Sequence, residues 1–166
     1  MEEGDVCLPS PQAVTVLDFD RCLLKIHSYG MRMTPEDVEE ADDLVFQGYW
    51  AIPPSRLKEF LKEKRVYIAS FGLSEVIHAF LIRAGLDKMV LGVLTPKLVG
   101  GVDGCSLPSG KNALLEMVEA AEGLTDRSFL TLYDDDPNNI RLALEVGFGA
   151  VHADPLAEAL LIDPVV

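Results

Sequence analysis

An apolar run that stops on two aspartates, VTVLDFDRCLL over residues 14–24, constrains this chain more than any other stretch. A short apolar run ending in turn-like polarity reads as a buried parallel strand with acids at its carboxyl end. In open α/β sheets, ligands bind at that edge. With residues 14–17 extended, Asp18 and Asp20 point to one side, and two carboxylates so close repel unless a proton or cation intervenes. The pair suits a hard, oxygen-seeking ion such as Mg²⁺. An Asp-x-Asp that only caps a strand and faces water would look the same, so the rest of the chain has to decide.

After an irregular stretch over residues 21–33, Thr34, Pro35 and Asp37 form a helix start with a capping box, and the spacing predicts one helix over residues 34–46. Val38, Ala41, Leu44 and Val45 make its apolar stripe, and the acids around them read as a solvated face. Gly48 ends that helix. Tyr49 and Trp50 read as core residues, with a substrate flap as the minority alternative, and Pro53-Pro54 opens a helix running to about residue 64. Residues 66–69 form the second strand, ending at Ser70-Phe71-Gly72. A hydroxyl there, just before a helix starting near Ser74 and closed by Gly85, sits where backbone N–H groups can hold an anion.

A third strand over residues 89–94 leads into the glycine-rich TPKLVGGVDGCSLPSG. The end of that connection is not a P-loop, because Gly104 and Gly110 stand one residue too far apart and Asn112 replaces the metal-binding Ser or Thr. It leaves Lys111 in the first turn of a helix capped near Ser109 and running to about Glu122. A lysine is unfavourable there on dipole grounds, which hints at another purpose, with an exposed surface lysine as the alternative. The fourth strand, residues 128–133, ends in DDDPNN. Asp136 with Pro137 is a cap, leaving Asp134 and Asp135 at the strand's edge. A last strand at residues 150–152 precedes Asp154-Pro155 and a short final helix. His27, His78 and His152 have no partner at metal-binding spacing and read as structural.

The chain has 166 residues, nearly half of them hydrophobic, enough for one domain with a sizeable core. Residues 1–12 are acidic and Pro-containing, unlike a signal peptide, and read as a flexible segment before that single domain. No apolar stretch reaches the roughly 20 residues of a membrane span. The expectation is a soluble, cytoplasmic protein, monomeric or weakly homodimeric, with no membrane partner. A net charge of −13 argues against nucleic acid and requires locally placed cations for any anionic substrate. Cys7, Cys22 and Cys105 lack metal or redox spacing and read as reduced thiols.

Taken in order, these signals are two acids after strand one, a hydroxyl after strand two, a helix-start lysine and two acids after strand four. That order resembles the haloacid dehalogenase superfamily of phosphohydrolases, through LDFDRC, YIAS, SGKNALL and LYDDDPNN. The resemblance implies a Rossmann-like three-layer α/β sandwich with a mostly parallel five-stranded central sheet and no or minimal cap. It makes Asp18 the nucleophile that forms an aspartyl-phosphate and Asp20 the general acid and base. Ser70, Phe71 and Lys111 become the phosphate-binding groups. The family's Mg²⁺ would be held by the Asp18 carboxylate, the Asp20 backbone carbonyl and Asp135, with Asp134 assisting.

The family usually has Thr or Val where this chain has Cys22. A thiol is a poor hydrogen-bond donor, so an orienting hydroxyl is missing there, and Cys22 reads as packing. The doubled aspartate of the fourth motif and the short length resemble the capless, magnesium-dependent phosphatases. Residues 21–64 have room for only two helices, and the connection over residues 95–110 is too short for a lid domain. A dehalogenase is disfavoured because a carbon–halogen substrate has no leaving oxygen for Asp20 to protonate. A response-regulator receiver is disfavoured because its second acid cluster follows strand three. The expected substrate is a phosphorylated small molecule or a phosphoprotein. The alternative is a catalytically silent module of the same fold that binds a partner.

Overall fold

A computed structural model describes residues 13–153. Five strands form one sheet, β1 (Val14–Leu17), β2 (Arg65–Ala69), β3 (Gly92–Leu94), β4 (Leu130–Asp134) and β5 (Gly149–His152), in the order β3-β2-β1-β4-β5. Every pairing is parallel, with Leu17 beside Ile68 on one flank and Tyr133 on the other. β1 takes the centre because both of its faces are apolar. Val14 and Val16 enter one core with Leu114, Leu115 and Val118, while Leu17 enters the other with Leu57, Ile68 and Phe80. Each such buried side chain contributes roughly 1.5–3 kcal/mol relative to exposure.

Among the described residues, six helices cover the sheet: α1 (Pro35–Glu40), α2 (Asp43–Gly48), α3 (Pro54–Leu61), α4 (Ser74–Ala84), α5 (Asn112–Glu122) and α6 (Pro137–Glu145). The first four supply the core on one face, and α5 and α6 supply the other, giving the expected three layers. From β1 the chain runs outward through β2 and β3, then returns across to β4. The strand order therefore reverses between β1 and β4, and the carboxyl edge at such a reversal is where ligands bind in α/β sheets.

Several boundaries differ from the sequence expectation. The helix expected over residues 34–46 is two helices. The Thr34–Asp37 capping box forms as expected, but Ala41 leaves helical geometry and Asp42 caps a new start by accepting from the Val45 N–H. That restart turns Leu44 and Val45 to solvent and buries Phe46 instead. Residues 21–64 thus hold three helices, not two. α3 stops at Leu61 because Glu63 adopts a left-handed φ of 62°, which no glycine announces. β3 is shorter than expected, since Asp87–Met89 is a 3-10 turn, and another at Arg127–Phe129 delays β4. Trp50 is core, edge-on to Phe19, Phe46 and Phe80, so the flap alternative for it fails. Residues 1–12, Cys7 and the helix expected after Asp154 lie outside the described residues. No helix among the described residues is long and apolar enough to cross a membrane.

The end of α5 is tied to β2 by Glu122, which accepts from Arg65 Nε at 2.8 Å and Tyr67 Oη at 2.7 Å. Burial pushes the Glu122 carboxyl up, but the Arg65 and Tyr67 hydrogen bonds outweigh it and hold it below its usual value. A depressed carboxylate contributes stability above its unfolded pKa of about 4.3 and loses it as pH falls through the lower folded value. Glu122→Gln is therefore expected to lower unfolding free energy by about 1 kcal/mol at pH 7, with the gap to the parent closing below pH ~4. Urea denaturation at the two pH values checks it; a gap that stays constant would rule out the charge as its source.

Candidate active site

The strand register brings the sequence-predicted acids to one edge. Asp18 follows β1, its backbone fixed by donation to the Tyr133 carbonyl at 2.9 Å, and Asp134 closes β4 beside it. Lys111 Nζ lies between them, donating to Asp18 Oδ1 at 2.7 Å and Asp134 Oδ2 at 2.6 Å. The lysine is only 2 % exposed, so the surface-residue alternative for it is excluded. It also precedes α5 instead of opening its first turn. Ser109 does not cap with its side chain; its carbonyl accepts from Asn112, and Gly110, at φ 61°, makes the bend that turns Lys111 inward. Asn112 serves packing, its amide donating to the Leu142 carbonyl of α6.

Charge is the dominant feature of the site. Burial pushes Lys111 down, but Asp18 and Asp134 outweigh it and hold the ammonium above its ordinary value. Burial pushes the Asp18 carboxyl well up; Lys111 pulls it back, and the neighbouring Asp134 pushes it up again. Asp18, Asp134 and Asp135 each offer an oxygen within 4.8 Å of the others. Three carboxylates against one ammonium leave two negative charges unmatched. An all-oxygen donor set with that deficit fits a divalent hard cation. Asp134 is already occupied by Lys111, the Asp136 N–H and Asn139 Nδ2, which suits an assisting role. Asp135 is half-buried and lines the cleft.

The Asp20 carboxylate does not join this oxygen cluster. It accepts from Ser28 Oγ at 2.7 Å and, more weakly, from the Tyr29 N–H at 3.4 Å. Ser28 is buried and was not legible as a site residue, because nothing in an irregular stretch marks which hydroxyl will turn inward. It supplies the hydroxyl that Cys22 cannot. Cys22 is buried against the Tyr133 carbonyl, and burial pushes its thiol well up, so it packs and does not react. His27, expected to be structural, stands at the cleft with Nδ1 3.9 Å from Asp20 Oδ2. His152 also reaches the site's frame, its Nε2 3.1 Å from the Asp135 carbonyl.

The opposite wall comes from β2. Ser70 is buried at the strand's end, its N–H donating to the Leu94 carbonyl and its Oγ accepting from the Gly72 N–H at 3.0 Å. Phe71 presents its ring 5.5 Å from Lys111 Nζ, and its carbonyl accepts from Gly104 of the glycine-rich connection. At φ 92°, Gly104 also lies under the Tyr29 ring, where any Cβ would collide. Asp18, Asp20, Ser70, Phe71, Lys111, Asp134 and Asp135 all line one cleft of about 510 Å³. No residue of α1, α2 or α3 lines it. Arg83 instead holds α1 and α2 down on α4, donating to the Val38 carbonyl and Asp43 and stacking on Phe46.

Neither a protein-family model nor a curated protein matches the sequence. Solved structures do match the fold. A protein from Porphyromonas gingivalis described as a predicted haloacid dehalogenase-like family hydrolase aligns at TM-score 0.56 and 15% identity, covering 93% of this chain and 100% of that one. L-2-haloacid dehalogenase from Xanthobacter autotrophicus, with chloropropionic acid covalently bound, aligns at 0.55 and 12%, covering 93% and 84%. A haloacid dehalogenase family enzyme from Bacteroides thetaiotaomicron, in complex with magnesium and inorganic phosphate, aligns at 0.51 and 14%, covering 85% and 93%. The chain has the haloacid dehalogenase-like fold.

Proposed function

We propose that this protein is a Mg²⁺-dependent phosphohydrolase that cleaves phosphomonoesters through an aspartyl-phosphate on Asp18. The observation that carries the reading is the buried Lys111 ammonium held between Asp18 and Asp134 beside a third carboxylate, all opening on one cleft. That is an arrangement for placing a phosphoryl group against an oxygen nucleophile. Asp18 attacks phosphorus, the bond to the leaving oxygen breaks, and Asp20, oriented by Ser28, gives that oxygen its proton. Asp20 then takes a proton from water as the water attacks the aspartyl-phosphate, releasing phosphate and regenerating Asp18. Ser70 and Lys111 offer donors to the phosphoryl oxygens, where they stabilise the charge of the transition state.

Asp18, Asp135 and the Asp20 backbone carbonyl would hold Mg²⁺, with Asp134 assisting; when bound it offsets the negative charge of nucleophile and phosphate together. The Bacteroides neighbour's complex with magnesium and inorganic phosphate supports this reading of the cleft. The fold also carries a dehalogenase, but a hydrogen-bonded Asp20 in the cleft favours a leaving group that needs a proton. Because α1 to α3 stay off the cleft, we read it as capless, open to a phosphorylated small molecule or a phosphoprotein. The acidic chain disfavours nucleic acid.

Turnover of an aryl phosphate is expected with Mg²⁺, to vanish on exhaustive chelation and to return on adding Mg²⁺ back. Calorimetric titration of the metal alone should show one site that Asp135→Asn weakens. Unchanged turnover after chelation would sink the metal assignment, and a screen of phosphorylated metabolites and phosphopeptides tests the reaction class itself.

A further inference from the structure

We infer that a basic groove beside the catalytic cleft, formed by residues 21–31, binds a second anionic group on the substrate. The preferred substrates are then phosphomonoesters that also carry a carboxylate or another phosphate. This rests on the phosphohydrolase reading and adds the chemical class of its substrate.

Charge is unevenly spread in this chain. Against 27 acids and 14 lysines and arginines overall, residues 21–33 contain Arg21, Lys25, Arg32 and His27 and not one Asp or Glu. Arg21, Lys25 and His27 line a groove of about 560 Å³ whose remaining lining is Ile26, Gly30 and Met31. Arg21 and His27 also line the catalytic cleft, so the two spaces are contiguous. The site needs such cations from outside itself. Lys111 is engaged by two carboxylates, and an approaching phosphate otherwise meets Asp18, Asp20, Asp134 and Asp135. An exposed cationic rim draws an anion across that repulsive field.

Two further observations bear on these side chains. Arg21 and Lys25 are exposed and, among the described residues, have no carboxylate within 4.0 Å, so both are available to an anion. Arg21 also holds a left-handed φ of 57°, as Arg32 does at 55° at the far end of the loop. Glycine or asparagine would take that backbone more cheaply, and strain kept directly after Asp20 marks a position held for its side chain. His27 adds a hydrogen-bonding ring to both spaces. Its Nδ1 accepts from the Gly30 N–H at 2.8 Å, so Nε2 is the nitrogen with donor capacity for a ligand.

The experiment compares matched pairs with Mg²⁺ present: phenyl phosphate against carboxyphenyl phosphate, and a phosphopeptide with neutral flanks against one with glutamate flanks. For each pair the ratio of kcat/KM, anionic over neutral, is measured for the wild type and for Arg21→Gly/Lys25→Gln. Glycine suits the backbone at position 21, so the fold is kept, and leaving-group reactivity cancels between the two proteins. The ratio should fall about threefold to tenfold in the variant, the size expected of two screened charge contacts, and should also fall with added salt in the wild type. Whichever pair shows the larger fall tells whether the anion comes from a small molecule or from an acidic peptide. A ratio that the variant leaves unchanged in both pairs overturns the inference, even if both members of a pair slow together. No turnover of any member by the wild type overturns the phosphohydrolase reading instead.

Discussion

Asp18→Asn is expected to abolish phosphomonoester hydrolysis, while Asp20→Asn keeps a measurable remnant. An amide at position 18 cannot form the aspartyl-phosphate, and no neighbouring group replaces it. Asp134 is tied to Lys111 and two further donors, and Asp20 faces Ser28. Losing the proton carrier slows the reaction by on the order of 10² to 10⁴, because binding and nucleophile survive. At about 1.4 kcal/mol per factor of ten, that is roughly 3 to 5.5 kcal/mol of barrier. The fold should suffer little, since burial outweighs the Lys111 attraction in holding the Asp18 carboxyl well above its ordinary value, an amide there removes that desolvation cost and the Asp134 repulsion, and Lys111 keeps Asp134 as its partner. Thermal melting of Asp18→Asn at or above that of the parent, with turnover below detection, is the combined result expected. Comparable modest losses in the two variants would show that Asp18 is not the nucleophile.

How much of this was legible in the sequence depends on range. The strands and their order of acids were legible, because a parallel strand buried on both faces must be a short apolar run and the polarity after it marks the edge. α4 was legible at both ends, its start placed near Ser74 and its stop at the left-handed Gly85 that ends it. Boundaries failed where no special residue signals them. Glu63 takes a left-handed φ without being glycine, and the break at Ala41 and Asp42 hides inside a pattern that an unbroken helix would share.

The site was legible wherever residues sit at strand ends, and illegible wherever a loop decides which way a side chain turns. Asp18, Ser70, Asp134 and Asp135 follow from strand register alone. Ser28, His27 and Arg21 do not, because the approach of Ser28 and His27 to Asp20 and of Arg21 to the cleft depends on the backbone turns of residues 21–33. Those turns are set by distant partners: Lys25 N–H donates to the Tyr49 carbonyl, Ala51 N–H to the Leu23 carbonyl, and Tyr29 lies over Gly104. Pairings between residues far apart in the chain leave no periodic mark, so only the folded structure shows that this loop reaches the cleft.

Lys111 is where the fold and the proposed chemistry depend on one group, and its removal should show in both. Lys111→Ala leaves Asp18 and Asp134 buried and facing each other without their shared cation. Breaking a buried ion pair by removing one partner costs about 3–5 kcal/mol. Turnover should fall by at least 10² to 10³, about what is lost with one donor to a developing oxyanion. Lys111→Met separates charge from packing, because it fills nearly the same volume; its turnover should fall as far as alanine's, with a smaller part of the stability loss coming from a cavity. Lys97 is the control, also flanking the glycine-rich connection but half-exposed and paired to Glu75 and Asp103 only at 3.9 and 3.6 Å. Pairs that long, made by a half-exposed lysine, contribute about 0–1 kcal/mol, so Lys97→Ala should stay within about twofold of the parent in turnover. Equal losses at the two positions would remove Lys111 from the site and return the buried cation to a purely structural role.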